Sequence, residues 1–136
     1  MSKNATGACL CGAVTFEYAD DIAEAAYCHC TDCRRTTGSA FNISVGLKSS
    51  GFKVTKGHPH EFTKTADSGN LLTRHFCGNC GSPLYTSSPS NADMVYIKAG
   101  AFDDPGFIKP AYQSWTRSRV KWADIPANLP GHETSG

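Results

Sequence analysis

No run of apolar residues in the 136-residue chain approaches the roughly 20 that carry a helix across a bilayer. Residues 1–7 also lack the apolar stretch of a signal peptide. Neither charge is in excess: 13 Lys and Arg stand against 12 Asp and Glu, a formal net charge of +1. Nucleic-acid binding draws on a basic face, and no window is strongly basic. The densest positive stretch, residues 115–121, reads as a solvated face. Internal repeats and low-complexity segments are missing. These absences predict a soluble, cytoplasmic chain without a nucleic-acid or membrane partner, forming a single domain over residues 1–136 with a modest core.

An even cysteine count, the mark of a disulfide framework, is absent too. The seven cysteines fall into three groups: Cys9-Leu10-Cys11, Cys28-His29-Cys30-Thr31-Asp32-Cys33 and Cys77-Gly78-Asn79-Cys80. C-x-C and C-x-x-C at this density are chelate spacings, and a reducing cytoplasm keeps such thiols available to metal. Two pairs and one triplet suit two Zn²⁺ per chain, one closed by four thiolates and one held by three with an open position. Residues i and i+2 of a strand share a face, so Cys9 and Cys11 can reach one ion from one strand. Residues 76–81 read as a zinc knuckle, with Gly78, Asn79 and Gly81 allowing the tight turn. Spacing does not settle which groups share an ion. Joining Cys9 and Cys11 to Cys77 and Cys80 is the economical pairing, since it leaves the triplet intact.

The triplet is the candidate for chemistry. Cys28 and Cys30 can bind from a strand end, and Cys33 comes round from the following turn. The fourth ligand is then a water, a substrate atom, or a nearby His or carboxylate. His29 lies between two ligands and is expected to face away from them. His75 is expected to pack or hydrogen-bond, and His58, His60 and His132 to lie on the surface. Asp32 reads as an Asx turn. A zinc ion with three thiolates carries one net negative charge, which suits capture of a thiol better than peptide hydrolysis. Arg34 and Arg35 could offset that charge and hold a substrate carboxylate, or be plain solvated arginines.

The rest of the chain reads as mostly β. Residues 13–18, 41–47, 52–54, 61–65, 71–76 and 94–98 carry strand composition, the first two with period-two alternation. Turns are expected at residues 50–51, 56–59, 67–70 and 103–106. Only residues 31–37 suggest a helical turn, ending before Gly38. The tail from about residue 127 is expected to be loose. Phe41, Tyr112, Trp115 and Trp122 are expected in core packing rather than lining a pocket.

Residues 7–14, 28–34 and 76–81, with 99–105, 122–126 and 129–130, resemble the glutathione-dependent formaldehyde-activating enzyme (GFA) domain family. The resemblance covers nearly the whole chain. It implies a zinc-bound all-β fold of the β-tent type, built of short antiparallel strands. It also implies a structural zinc on Cys9, Cys11, Cys77 and Cys80 and a catalytic zinc on Cys28, Cys30 and Cys33. The implied activity is that of a carbon–sulfur lyase: reversible condensation of glutathione, a small-molecule thiol, with formaldehyde to S-(hydroxymethyl)glutathione. Two other readings stand beside it. One is a zinc enzyme of the same fold activating water or a carbonyl. The other is a non-catalytic zinc module that binds a protein.

Overall fold

The computed structural model describes residues 2–126 and 128–134. Its strands are β1 (Ser2–Ala8), β2 (Thr15–Cys28), β3 (Asn42–Lys48), β4 (Phe52–Lys56), β5 (His60–Thr65), β6 (Leu71–Phe76), β7 (Pro83–Ser87), β8 (Met94–Lys98) and β9 (Pro110–Ser114). One α-helix, α1 (Thr31–Thr37), stands among them and ends at Gly38. The strands form an open sheet in the order β1-β2-β3-β8-β7-β6-β5, with β4 and β9 also paired to β2. All pairings are antiparallel except β2 with β9. The all-β expectation therefore holds.

β2 organises this arrangement. Its first half pairs β1 on one edge and β4 on the other. Its second half pairs β3 and β9. Register shifts occur between Ile22 and Ala25 against β3, and between Ala25 and Ala26 against β9. Bulges of this kind bend a strand and raise its twist, so one long strand serves two stretches of sheet. The strand expected over residues 13–18 runs on to Cys28. Residues 19–26 are acidic and alanine-rich, a poor strand composition, but partners on both edges override that preference.

Three further strands lie outside the sequence-based expectation. β1 is polar and contains Gly7, while β7 and β9 each begin with proline. Proline is tolerated at the first position of a strand, so these segments form by pairing rather than by propensity. The tail also differs from its expectation. Gln113 N donates to Pro130 O at 3.0 Å, His132 N to Gln113 O at 2.9 Å, and Trp115 N to Thr134 O at 2.9 Å. Those bonds hold residues 130–134 along β9; Ala127, Ser135 and Gly136 lie outside the described residues.

The core gathers under β2, β3 and β8. Phe16, Tyr18, Val45, Leu47 and Ile97 are almost wholly buried. Phe16 meets Phe102 edge-on at 5.6 Å and Phe52 at 5.6 Å. β1 passes directly over this cluster. A Cβ on Gly7 would overlap both the Phe16 ring and the Ala101 carbonyl. Gly7→Ala is accordingly expected to destabilise the fold by about 1–3 kcal/mol, the usual cost of overpacking, measured by chemical denaturation. A loss below about 0.5 kcal/mol would mean that β1 lifts away at little cost.

Candidate metal centres and the cavity beside them

The chain turns sharply after β1. Gly12 N donates to Cys9 O at 3.1 Å and Cys9 N to Val14 O at 3.0 Å. Cys9 and Cys11 therefore project from a tight turn, not from one strand face as their spacing suggested. A second turn joins β6 to β7, where Gly81 N donates to Cys77 O at 2.8 Å. Gly81 has φ +81°, which favours glycine. Gly78 does not have a positive φ; it is small because the His60 ring lies where its Cβ would be.

The two turns face each other and bring four sulfurs within 4.8 Å of one another. Cys9 Sγ and Cys11 Sγ are 3.7 Å apart, as are Cys11 Sγ and Cys77 Sγ. Thiolates at about 2.3 Å from a tetrahedral zinc lie roughly 3.8 Å from each other. The donors around the sulfurs fit as well. Val14 N points at Cys9 Sγ (3.3 Å), Asn79 N and Cys80 N at Cys77 Sγ (both 3.4 Å), and Asn79 Nδ2 at Cys11 Sγ (3.2 Å). N–H groups aimed at sulfur favour the thiolate, the form that binds metal. The Ser82 hydroxyl, 3.2 Å from Cys80 Sγ, is the main cause holding that thiol down at about 5.

The second group forms where β2 ends and α1 begins. Cys28 is the last residue of β2, Cys30 caps the helix, and Cys33 lies in its first turn. Cys30 Sγ accepts from Cys33 N at 3.2 Å. The three sulfurs lie within 4.8 Å of one another. Packed so closely, they compete for protons. Hydrogen bonds from Cys30 and Cys33 hold the Cys28 thiol far below its ordinary value. Cys33 is pushed far up, first by its hydrogen bond with Cys28 and then by that with Cys30. A divalent cation removes this conflict by replacing the protons. Both groups could thus hold metal ions.

His29 points away from the triplet, as alternation predicts. It is fully buried, with Nε2 3.0 Å from Gln113 Oε1 and its backbone N donating to Ser114 O at 3.1 Å. These contacts tie the triplet's strand end to β9. His75 packs as expected: it stacks on Tyr85 at 4.1 Å, and its Nε2 lies 2.8 Å from Ser87 Oγ. His58, His60 and His132 are exposed. Asp32 is not held in an Asx turn. It accepts from Lys64 Nζ at 2.7 Å, an ion pair that links α1 to β5.

A cavity of about 310 Å³ opens beside the triplet, lined by Cys28 and Cys33. Every second residue of the surrounding strands faces it: Ala26 and Cys28 from β2, Asn42 and Ser44 from β3, Leu72 and Arg74 from β6. β7, β8 and β9 add Thr86, Lys98 and Ser114. Arg34 is half-buried and Arg35 exposed on α1, and neither lines this cavity. The cations that do are Arg74 and Lys98, which spacing around the cysteines gave no reason to select. The aromatics also depart from expectation. Tyr112 lines the main cavity and Trp115 a smaller pocket at Cys28, Cys30 and Cys33. Trp122 is 78% exposed. Phe41 is half-buried and meets Tyr27 edge-on at 5.1 Å, but it too lines a pocket, between β3 and the turn at Cys9.

The model of the glutathione-dependent formaldehyde-activating enzyme family matches residues 4–118, and the chain belongs to that family. A Halomonas elongata protein that carries the family's name provisionally is 32% identical over 107 residues, which are 71% of this chain and 64% of that protein. The aligned part thus spans less than two thirds of the relative. The fold is shared with a Rhodobacter sphaeroides protein of known crystal structure, at TM-score 0.57 and 19% identity, over 93% of this chain and 98% of the other.

The first thiol group joins residues 9 and 80, so a metal held there would close a long loop. Structural zinc in small domains supplies on the order of 10 kcal/mol of folding energy. Cys77→Ser is expected to lower the melting temperature by about 10 °C or more, or to abolish cooperative unfolding. An unchanged thermal scan would remove metal from the folding of this turn.

Proposed function

We propose that the chain is a zinc-dependent carbon–sulfur lyase acting on a thiol–aldehyde adduct, as the family's name suggests for glutathione and formaldehyde. The observation that carries this reading is the triplet: three convergent sulfurs, no fourth cysteine sulfur with them among the described residues, and a cavity opening on Cys28 and Cys33. A donor set of three with an open side is the pattern of a catalytic site. The four-sulfur group is closed by protein and suits a structural ion. The reading therefore has two Zn²⁺ per chain with different duties. It also places the chain in the cytoplasm, where thiols stay reduced.

Zinc on the triplet would lower the pKa of an arriving thiol and hold it as the reactive thiolate at neutral pH. The chain's own residues supply position. Cys28, Cys30 and Cys33 fix one side of the site through a strand end and a helical turn. His29, held by Gln113, anchors the strand that carries them. In the synthetic direction the thiol sulfur forms a bond to the aldehyde carbon, and the thiol proton ends on the new hydroxyl. The lyase direction reverses this: the carbon–sulfur bond breaks and thiol and aldehyde are released. Thiols add to formaldehyde unaided, so the gain lies in deprotonation and orientation.

Cys30→Ser and Cys33→Ser are expected to leave the melting temperature of the fold nearly unchanged and to abolish turnover above the uncatalysed rate. The triplet spans residues 28–33 only, so it closes a far shorter loop than the pair joining 9 and 80. Loss of folding as severe as in Cys77→Ser would make the second ion structural and favour a binding module. Cobalt substitution tests the chemistry directly. Sulfur-to-cobalt charge-transfer bands are expected to grow when millimolar glutathione is added. Unchanged spectra, with no rate above background, would discard thiol chemistry in favour of water or carbonyl activation.

A further inference from the structure

Arg74 and Lys98 are each only 9% exposed, and both line the cavity with Cys28 and Cys33. Arginine and lysine are seldom buried without a partner, because an unpaired charge out of water is costly. Among the described residues, no carboxylate pairs with either side chain; the ion pairs are Lys64–Asp32 and His75–Glu61. Glu24, the acidic residue that lines the cavity, is itself exposed. Lys98 Nζ donates to Asn42 Oδ1 at 2.9 Å, and Asn42 Nδ2 in turn donates to Ser44 Oγ at 2.7 Å. That chain fixes the ammonium and leaves it further N–H donors. The Arg74 guanidinium, with five donors of its own, makes no hydrogen bond to another described side chain.

The triplet does not balance these two charges. Loaded with a divalent ion, three thiolates carry one net negative charge, against two facing cations. A single sulfur also cannot accept the planar array of N–H groups that a guanidinium presents. A carboxylate can, through two parallel hydrogen bonds. We propose that Arg74 and Lys98 form a carboxylate-binding pair beside the triplet, so that the thiol taken up there carries its own carboxylate group close to the sulfur. The inference rests on thiol binding at the triplet and narrows the substrate class. The pair belongs to β6 and β8, whereas the triplet lies at the end of β2 and on α1, so the two face one another across the cavity. A cavity of about 310 Å³ lies at the small end for ligand sites, which suits a short span between sulfur and carboxylate.

Calorimetric titration of the zinc-loaded protein with mercaptoacetate and with 2-mercaptoethanol tests this, since the two thiols differ chiefly in the carboxylate. Mercaptoacetate is expected to bind at least about 10-fold more tightly, as a charge-assisted pair implies, and acetate is expected to compete with it. In Arg74→Met and in Lys98→Met the ratio of the two affinities is expected to fall to near one. Removing an unpaired buried charge is also expected to keep or raise the melting temperature of ligand-free Arg74→Met, whereas a structural arginine would lower it. Equal binding of both thiols to the native protein overturns the carboxylate pair and leaves thiol capture standing. Binding of neither thiol overturns both. A preference that survives in both variants places the carboxylate elsewhere and overturns the assignment.

Discussion

β2 pairs with four strands along its 14 residues, and both thiol groups hang from that pairing. Its antiparallel register with β1 sets Ala8 opposite Thr15, which leaves residues 9–14 to turn back on themselves. That turn carries Cys9 and Cys11. At the other end, Cys28 pairs with Asn42 of β3 and Ser114 of β9. The strand can go no further, and Cys30 begins a helix instead. A slip of one residue in this register would turn each side chain of β2 to the opposite face. It would move Cys28 out of the cavity and Phe16 and Tyr18 out of the core together. Fold and site are therefore specified by the same hydrogen bonds.

The two thiol groups differ in how their charge is met. Around Cys9, Cys11, Cys77 and Cys80, backbone and side-chain N–H groups point at sulfur. This group is half buried in turns, with donors already in place for thiolates. Around Cys28, Cys30 and Cys33 the donors are fewer: Cys33 N points at Cys30 Sγ, and Cys30 N and the Ser114 hydroxyl at Cys28 Sγ. Lys98 and Arg74 face this group across the cavity; burial lowers the Lys98 ammonium pKa and the nearby cysteines oppose that shift. Local backbone donors make a self-contained site. Distant cations make a site whose charge balance depends on what enters the cavity. That contrast is in keeping with the proposal of a structural ion at one group and chemistry at the other.

The cysteine grouping was legible because chelation imposes spacing that survives in one dimension. The helical turn over residues 31–37 was legible from its limits at Cys30 and Gly38, six strands from composition and, in two, alternation, and His29 was correctly turned away by strand alternation. Other features belong to tertiary pairing. β1, β7 and β9 have weak strand composition and exist through their neighbours. Asp32 looked like a local turn residue, but its partner Lys64 lies 32 positions away on β5. Arg34 and Arg35 drew attention by adjacency to Cys33, whereas the cations that face the triplet come from positions 74 and 98. Nothing in the spacing of those two residues could join them, because their meeting depends on β6, β7, β8 and β3 lying side by side.

This division separates what the metal groups require from what a substrate would meet. Alternation along each strand sends one set of side chains to the core and the next to the cavity. Val45, Leu47 and Ile97 fill the core from β3 and β8, while Ser44 and Lys98 on the same strands face the cavity. A change at position 44, 74, 86 or 98 alters the cavity without removing a sulfur ligand. It also leaves the aliphatic packing of the opposite face in place. A fold arranged in this way can keep both thiol groups constant and vary the group that accompanies the reacting sulfur. In this chain that variable surface carries two buried cations and few acidic neighbours. Substrate preference is thus expected to follow these strand positions, while folding and metal retention follow the cysteines.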